Sequence, residues 1–192
     1  MRVVGGEARG RRFDAPPGRS TRPTSDRVRE AIFGVLGSLA ACEGAAIEGA
    51  SVADLFAGSG AFGVEALSRG AERVVFVDAD RQAVATIRAN LASLGLAGPR
   101  AAVVQADALR WLRTAPPTDL VFCDPPYAFA QWPTLLSRLI PVAGLAVVET
   151  GGPLDLGPGW DLLREKHYGG TVVLVARPER PPDELGDRKG DA

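Results

Sequence analysis

The chain has 192 residues, 46% of them hydrophobic, and a formal net charge of −1, which suits one soluble domain with a substantial core and argues against wholesale attraction to nucleic acid. No apolar run approaches the ~20 residues of a membrane helix, and the N-terminus has no apolar stretch of signal-peptide length. Two cysteines, Cys42 and Cys123, in apolar contexts point to a reducing cytoplasm rather than a disulfide, and the single histidine, His167, argues against a histidine-based metal site, so no metal is expected.

Residues 1–24 are rich in Gly, Arg and Pro and read as an irregular or hairpin-like basic arm. The first thirty residues carry eight arginines against four carboxylates, and the whole chain uses 20 Arg to 2 Lys. A GC-rich coding bias explains Arg over Lys but not the clustering. A planar guanidinium suits phosphate and stacked bases, so Arg9, Arg11, Arg12, Arg22 and Arg27 are candidates for RNA contact. Phe13 either adds a stacking face or anchors the arm. A domain expected over residues 25–177 follows. Thr24 or Ser25 caps a helix whose Val28, Ile32, Val35, Leu36 and Leu39 recur at helical spacing to near Cys42.

From Ser51 strands and helices alternate. Strands are expected at 52–56, 73–77, 101–105, 118–123 and 145–149, with helices at 61–69, 80–94, from 108 through Trp111, and 132–139. Asp161–Tyr168 and Thr171–Ala176 read as a closing hairpin turned at Gly169-Gly170. The Pro-rich, charged tail, residues 178–192, is expected to be disordered. Alternating elements argue an α/β, mostly parallel seven-stranded sheet with helices on both faces, and the hairpin requires an antiparallel strand near the C-terminus.

Two motifs carry the chemistry. Asp124-Pro125-Pro126-Tyr127 follows the apolar strand Leu120–Cys123. A carboxylate at the end of such a strand lies where open α/β sheets bind ligands, two prolines stiffen the turn, and a tyrosine supplies a flat face. Together they suit a planar ring that bears an amine. The second motif, Gly58-Ser59-Gly60-Ala61-Phe62-Gly63, follows a strand and opens a helix, with Asp78 placed like a ribose-binding acid. Alone it would fit a nicotinamide or flavin nucleotide. Asp54 in the strand before the loop suits the ammonium of a methionine moiety and would repel a pyrophosphate. Asp107, after the third strand, is placed either for an adenine amino group or as a helix N-cap. The combination points to S-adenosylmethionine, with Asp54, Phe56, Gly58, Gly60, Asp78, Asp107 and Ala108 as cofactor-binding candidates, in a Rossmann-like class I methyltransferase fold.

With these motifs the sequence resembles the bacterial RsmD-type methyltransferases, which methylate the N2 amine of a guanine in 16S ribosomal RNA. The resemblance spans Val3 to about Arg177. It rests on Val3-Val4-Gly5-Gly6, Arg9-Gly10-Arg11, Arg22-Pro23-Thr24-Ser25-Asp26-Arg27-Val28-Arg29-Glu30, the stretch from Asp54 to Arg69, and Asp124–Tyr127. The family often has Glu where this chain has Asp78, and many members have Phe where it has Tyr127. The resemblance implies a monomeric, cytoplasmic rRNA (guanine-N2)-methyltransferase acting on 16S RNA, free or within the small ribosomal subunit. It implies that Asp124 and the Pro125 carbonyl accept the two N–H bonds of the target amine while Tyr127 stacks on the base. The motifs themselves leave open an adenine-N6 nucleic-acid enzyme, a protein glutamine methyltransferase, and a non-catalytic RNA-binding module. The absence of room for a target-recognition insert weighs against a DNA enzyme, and the intact acids weigh against a non-catalytic module.

Overall fold

A computed structural model describes residues 1–16, 25–43 and 46–179; Arg22 and the expected disordered tail from 180 lie outside them. Five helices and seven strands follow the expected alternation: α1 (Asp26–Glu43), β1 (Ser51–Leu55), α2 (Ala61–Ser68), β2 (Arg73–Asp78), α3 (Arg81–Ser93), β3 (Ala101–Gln105), α4 (Ala108–Trp111), β4 (Thr118–Cys123), α5 (Trp132–Leu139), β5 (Ala143–Thr150), β6 (Trp160–Tyr168) and β7 (Thr171–Pro178). One sheet has the order β3-β2-β1-β4-β5-β7-β6. All pairings from β3 to β5 are parallel, and β7 runs antiparallel to both β5 and β6. The antiparallel strand is therefore inserted between β5 and β6 rather than lying at the sheet edge. No described helix is long and apolar enough to cross a membrane.

Strict alternation of side chains sorts the strands into two cores. Val52, Phe122, Val147, Val173 and Val175 pack with α1, α2 and α3 on one face. Ala53, Leu55, Val121, Cys123, Ala146 and Val148 pack with α4 and α5 on the other. Parallel strands buried on both faces need continuous apolar sequence, and β1, β2 and β4 have it. The chain builds outward from β1 to β3, then returns to lay β4 against the free side of β1. That reversal is the point where open α/β sheets open a crevice at their carboxyl ends.

The N-terminal stretch is docked on this body. Arg2 and Arg12 form an antiparallel bridge, and Val3, Ala8 and Phe13 are buried in the α1–α3 core. Helix α2 receives it: Val4 N donates to Glu65 Oε2 at 2.9 Å and Ala8 N to Ser68 Oγ at 2.9 Å. Phe13 thus anchors the stretch. Arg11 is also committed, since its guanidinium donates to the carbonyls of Leu94 at 2.5 Å and Ser93 at 2.7 Å, where α3 ends. That is favourable, because the last carbonyls of a helix lack internal partners and carry partial negative charge. The Arg11 side chain, itself exposed, thus also closes α3.

Arg29 of α1 has a fully buried side chain. It pairs with Asp26 at 3.0 Å, donates to the Arg2 carbonyl, lies 5.7 Å from the Phe13 ring centroid, and has its Nε 3.7 Å from Glu65. The last distance is an ion pair but too long for a hydrogen bond. Glu65 is equally buried and takes Arg69 at 2.8 Å as well. The charges weld the N-terminal stretch, α1 and α2 together. Removing one partner of a buried pair strands the other, so Arg29→Met is expected to lower the unfolding free energy by about 3 kcal/mol in urea titrations; a loss below about 1 kcal/mol would show that the cluster does not hold the stretch down.

Candidate active site

The carboxyl ends of β1 and β4 bound a cavity of about 450 Å³. Asp54, Phe56, Gly58, Asp78, Asp107, Ala108, Asp124, Pro125 and Tyr127 all line it, so nine of the ten catalytic and cofactor candidates converge from positions spread over 74 residues of sequence. Gly60 is the exception. It has φ +79°, caps α2, and a Cβ there would lie 3.2 Å from Phe76 and 3.3 Å from Ile87. Its role is to turn the chain and let α2 sit close on the sheet, and Gly63 extends that role, since a Cβ there would come 2.2 Å from the Phe76 ring.

Asp54, Asp78 and Asp107 each have a backbone anchor. Asp54 accepts from Gly63 N at 2.9 Å at the start of α2 and is only 2% exposed. Asp78 accepts from Gly58 N and Asp80 N, both at 2.8 Å, which ties the glycine loop to the end of β2. Asp107 is the N-cap of α4 and accepts from Arg110 N at 2.8 Å. The N-cap reading of Asp107 therefore holds, and the residue also borders the cavity. A carboxylate has about four acceptor sites, so these anchors leave capacity for ligand hydroxyls and amines. Phe56 takes a left-handed backbone, φ +57°, which is uncommon outside glycine. Its ring packs edge-on against Phe129 at 5.4 Å, and Phe129 against Trp132 at 5.2 Å, linking the glycine loop to the turn after β4.

The turn itself is closed by Phe129 N donating to the Pro126 carbonyl at 2.8 Å, so it uses that carbonyl and not the one on Pro125. Asp124 is half-buried, while the Tyr127 ring is 67% exposed. One edge of that ring lies over Gly151, where a Cβ would meet its Cδ1 at 2.5 Å. The sequence reading had not singled out Gly151, Phe62, Phe129 or Glu149, all of which border the cavity. Glu149 carried a readable signal: it is the one charged residue in β5, at the carboxyl end where ligands bind.

Among the described residues, five carboxylates and no lysine, arginine or histidine line the cavity. Such a set repels a pyrophosphate and suits a sulfonium or ammonium group, which is the observation that fits S-adenosylmethionine to these residues. The candidate RNA arginines lie elsewhere: Arg9, Arg12 and Arg27 are exposed on the N-terminal stretch and α1.

Comparisons agree with this geometry. The model of a family described as Conserved hypothetical protein 95 matches residues 1–177. The ribosomal RNA small subunit methyltransferase D of Escherichia coli (strain K12) is 35% identical over 197 residues, covering 97% of this chain and 94% of that protein. YlbH of Bacillus subtilis (strain 168), named as a candidate rRNA methyltransferase, is 42% identical over 187 residues, covering 91% of this chain and 97% of that one. Among solved structures, the candidate methyltransferase yhhF from Escherichia coli superposes with a TM-score of 0.80 at 33% identity, over 94% of this chain and 99% of that one. The architecture is the Rossmann-like class I methyltransferase fold.

Burial pushes the Asp54 carboxyl up from 3.8 to about 8; the Gly63 N–H opposes that shift and the nearby Asp78 adds to it. A cation bound in the cavity favours the ionised carboxylate and lowers this value. Binding therefore expels a proton below pH 8, and affinity rises as the pH climbs toward 8. Calorimetry between pH 6 and 8 should show S-adenosylmethionine binding tightening by up to about tenfold per pH unit, one proton's worth, with the slope lost in Asp54→Asn. A pH-independent affinity in the unsubstituted protein would contradict the linkage.

Proposed function

The chain belongs to the RsmD family of S-adenosylmethionine-dependent ribosomal RNA methyltransferases, and from that premise we propose that it methylates the exocyclic N2 amine of a guanine in 16S ribosomal RNA. The observation that carries this reading is the meeting of the acid-lined glycine-loop cavity with Asp124, Pro125 and Tyr127. Asp54, Asp78 and Asp107 hold the cofactor, with the backbone of Gly58 and the side chains of Phe56 and Ala108 around it. Bound there, S-adenosylmethionine supplies a methyl group on a positively charged sulfur, a strongly activated leaving group.

The residues of the chain then supply position. A guanine N2 amine is a poor nucleophile because its lone pair is delocalised into the ring. Asp124 accepts one of its N–H bonds and the Pro125 carbonyl the other, which turns the remaining lone pair toward the cofactor. Holding the amine in line accounts for most of the rate, since misplacement by 1 Å costs about 10²-fold. Tyr127 stacks on the base, a contact worth ~1–3 kcal/mol, and its exposed ring suits a base drawn out of an RNA stack. Asp124, or water beside it, takes the proton that the methylated amine sheds. Arg9, Arg12 and Arg27 contact phosphates, with Arg22 from the same basic stretch.

Asp124→Ala separates positioning from cofactor binding. Its S-adenosylmethionine affinity should stay within about threefold of the parent protein, while single-turnover methyl transfer to unmodified 16S RNA drops at least about 10²-fold. Undiminished transfer in this variant would remove Asp124 from the mechanism.

A further inference from the structure

Asp124 and Pro125 grip an amine, and both guanine and adenine carry one. The structure offers a second acid beside the first. Cys123, the last residue of β4, pairs with Val148 of β5, so Asp124 and Glu149 each follow a paired residue at the carboxyl ends of adjacent strands. Cys123 and Val148 both point into the α4–α5 core, and Phe122 and Val147 both point into the other. By the alternation of β5, Glu149 turns to the same face as Val147, and Asp124 leaves β4 on the neighbouring strand, about 4.8 Å away where the two are paired. Both border the cavity together with Tyr127. Glu149 is only 8% exposed, and the next residue but one, Gly151, is the one on which the Tyr127 ring lies.

We infer that Glu149 reads the N1–H of the target base and thereby selects guanine over adenine. This rests on the reading of the site as an amine methyltransferase. On the edge of guanine, the N2 amine and the N1–H are adjacent donors. Two carboxylates side by side, Asp124 for the amine and Glu149 for the ring N–H, match that donor–donor pattern. Adenine presents an amine beside a bare N1 with a lone pair. Glu149 would face that lone pair with a negative charge, which is unfavourable in a shielded site. A site built to hydrogen-bond one group rejects an analogue that lacks it far more strongly than a shape difference alone does. Glu149 is thus a specificity-determining residue, and the absence of a side chain at Gly151 leaves room for the Tyr127 ring two residues further on.

The experiment uses the full chain and 16S RNA with the methylated guanosine first located by mapping the product of the parent protein. RNA is then assembled with 2-aminopurine at that position. This base keeps the N2 amine and has a bare N1. The parent protein should prefer guanosine by about 10²-fold or more in kcat/KM. Glu149→Gln offers an N–H to a bare ring nitrogen. It should lose about 10²-fold on guanosine, bring the two bases to within about tenfold of each other, and bind S-adenosylmethionine as the parent does. Three results would overturn the inference: equal use of both bases by the parent protein, an equal loss on both bases in Glu149→Gln, or loss of cofactor binding in that variant. The first needs no variant and stands even if Glu149→Gln fails to fold. Failure of the underlying reading looks different, because the parent protein would then place no methyl on any guanine N2 before an analogue is introduced.

Discussion

One buried hydrogen bond sets the scale of the site. The Asp54 carboxyl, near the carboxyl end of β1, accepts the Gly63 N–H at the start of α2. That bond fixes the glycine loop between strand and helix. Asp78 ties the same loop to β2 through Gly58 N. With the loop held from both sides, the cavity floor is rigid before any ligand arrives, and preorganisation of this kind is what allows positioning to replace covalent chemistry. The reversal of strand order between β1 and β4 then puts Asp124 across the crevice from that floor. Asp54 registers with Phe122, two residues before Asp124.

The electrostatics follow from the same constraint. Carboxylates gathered in a partly enclosed cavity are costly unless they meet donors or cations. Here they meet backbone N–H groups at the loop and α4. What remains of their capacity is aimed at a ligand that is cationic at one end and rich in N–H and O–H groups along its length. The exposed Arg9, Arg12 and Arg27 lie away from this cavity, on the N-terminal stretch and α1. With acid gathered in the cavity and exposed arginine outside it, a chain of net charge −1 still presents a basic N-terminal surface.

Much of this was legible in the sequence, for reasons that differ by residue. The parallel strands read clearly because burial on both faces demands unbroken apolar runs such as Leu120–Cys123. Asp124–Tyr127 and the glycine loop read clearly because their chemistry is local to a few neighbouring residues. The arginines of the N-terminal stretch and α1 look alike on paper. Only tertiary contact separates Arg29, buried among Asp26, Glu65 and Phe13, and Arg11, exposed yet bonded to the end of α3, from the exposed Arg9, Arg12 and Arg27. The motif does not show the second demand on Gly60, the ring of Phe76 beneath it, because that contact is set by the fold. Glu149 and Gly151 are not marked as neighbours of the Asp124–Tyr127 turn by their own strand, because the pairing of β4 with β5 that brings them to one cavity is not written in either strand alone.

The central claim is that this chain is a guanine-N2 methyltransferase of 16S RNA. It is tested most directly by incubating the protein with S-adenosylmethionine and unmodified 16S RNA, free and in small subunits, and digesting the product for nucleoside mass mapping. The account predicts N2-methylguanosine at a single position. N6-methyladenosine, or methyl groups found only on protein, would contradict it.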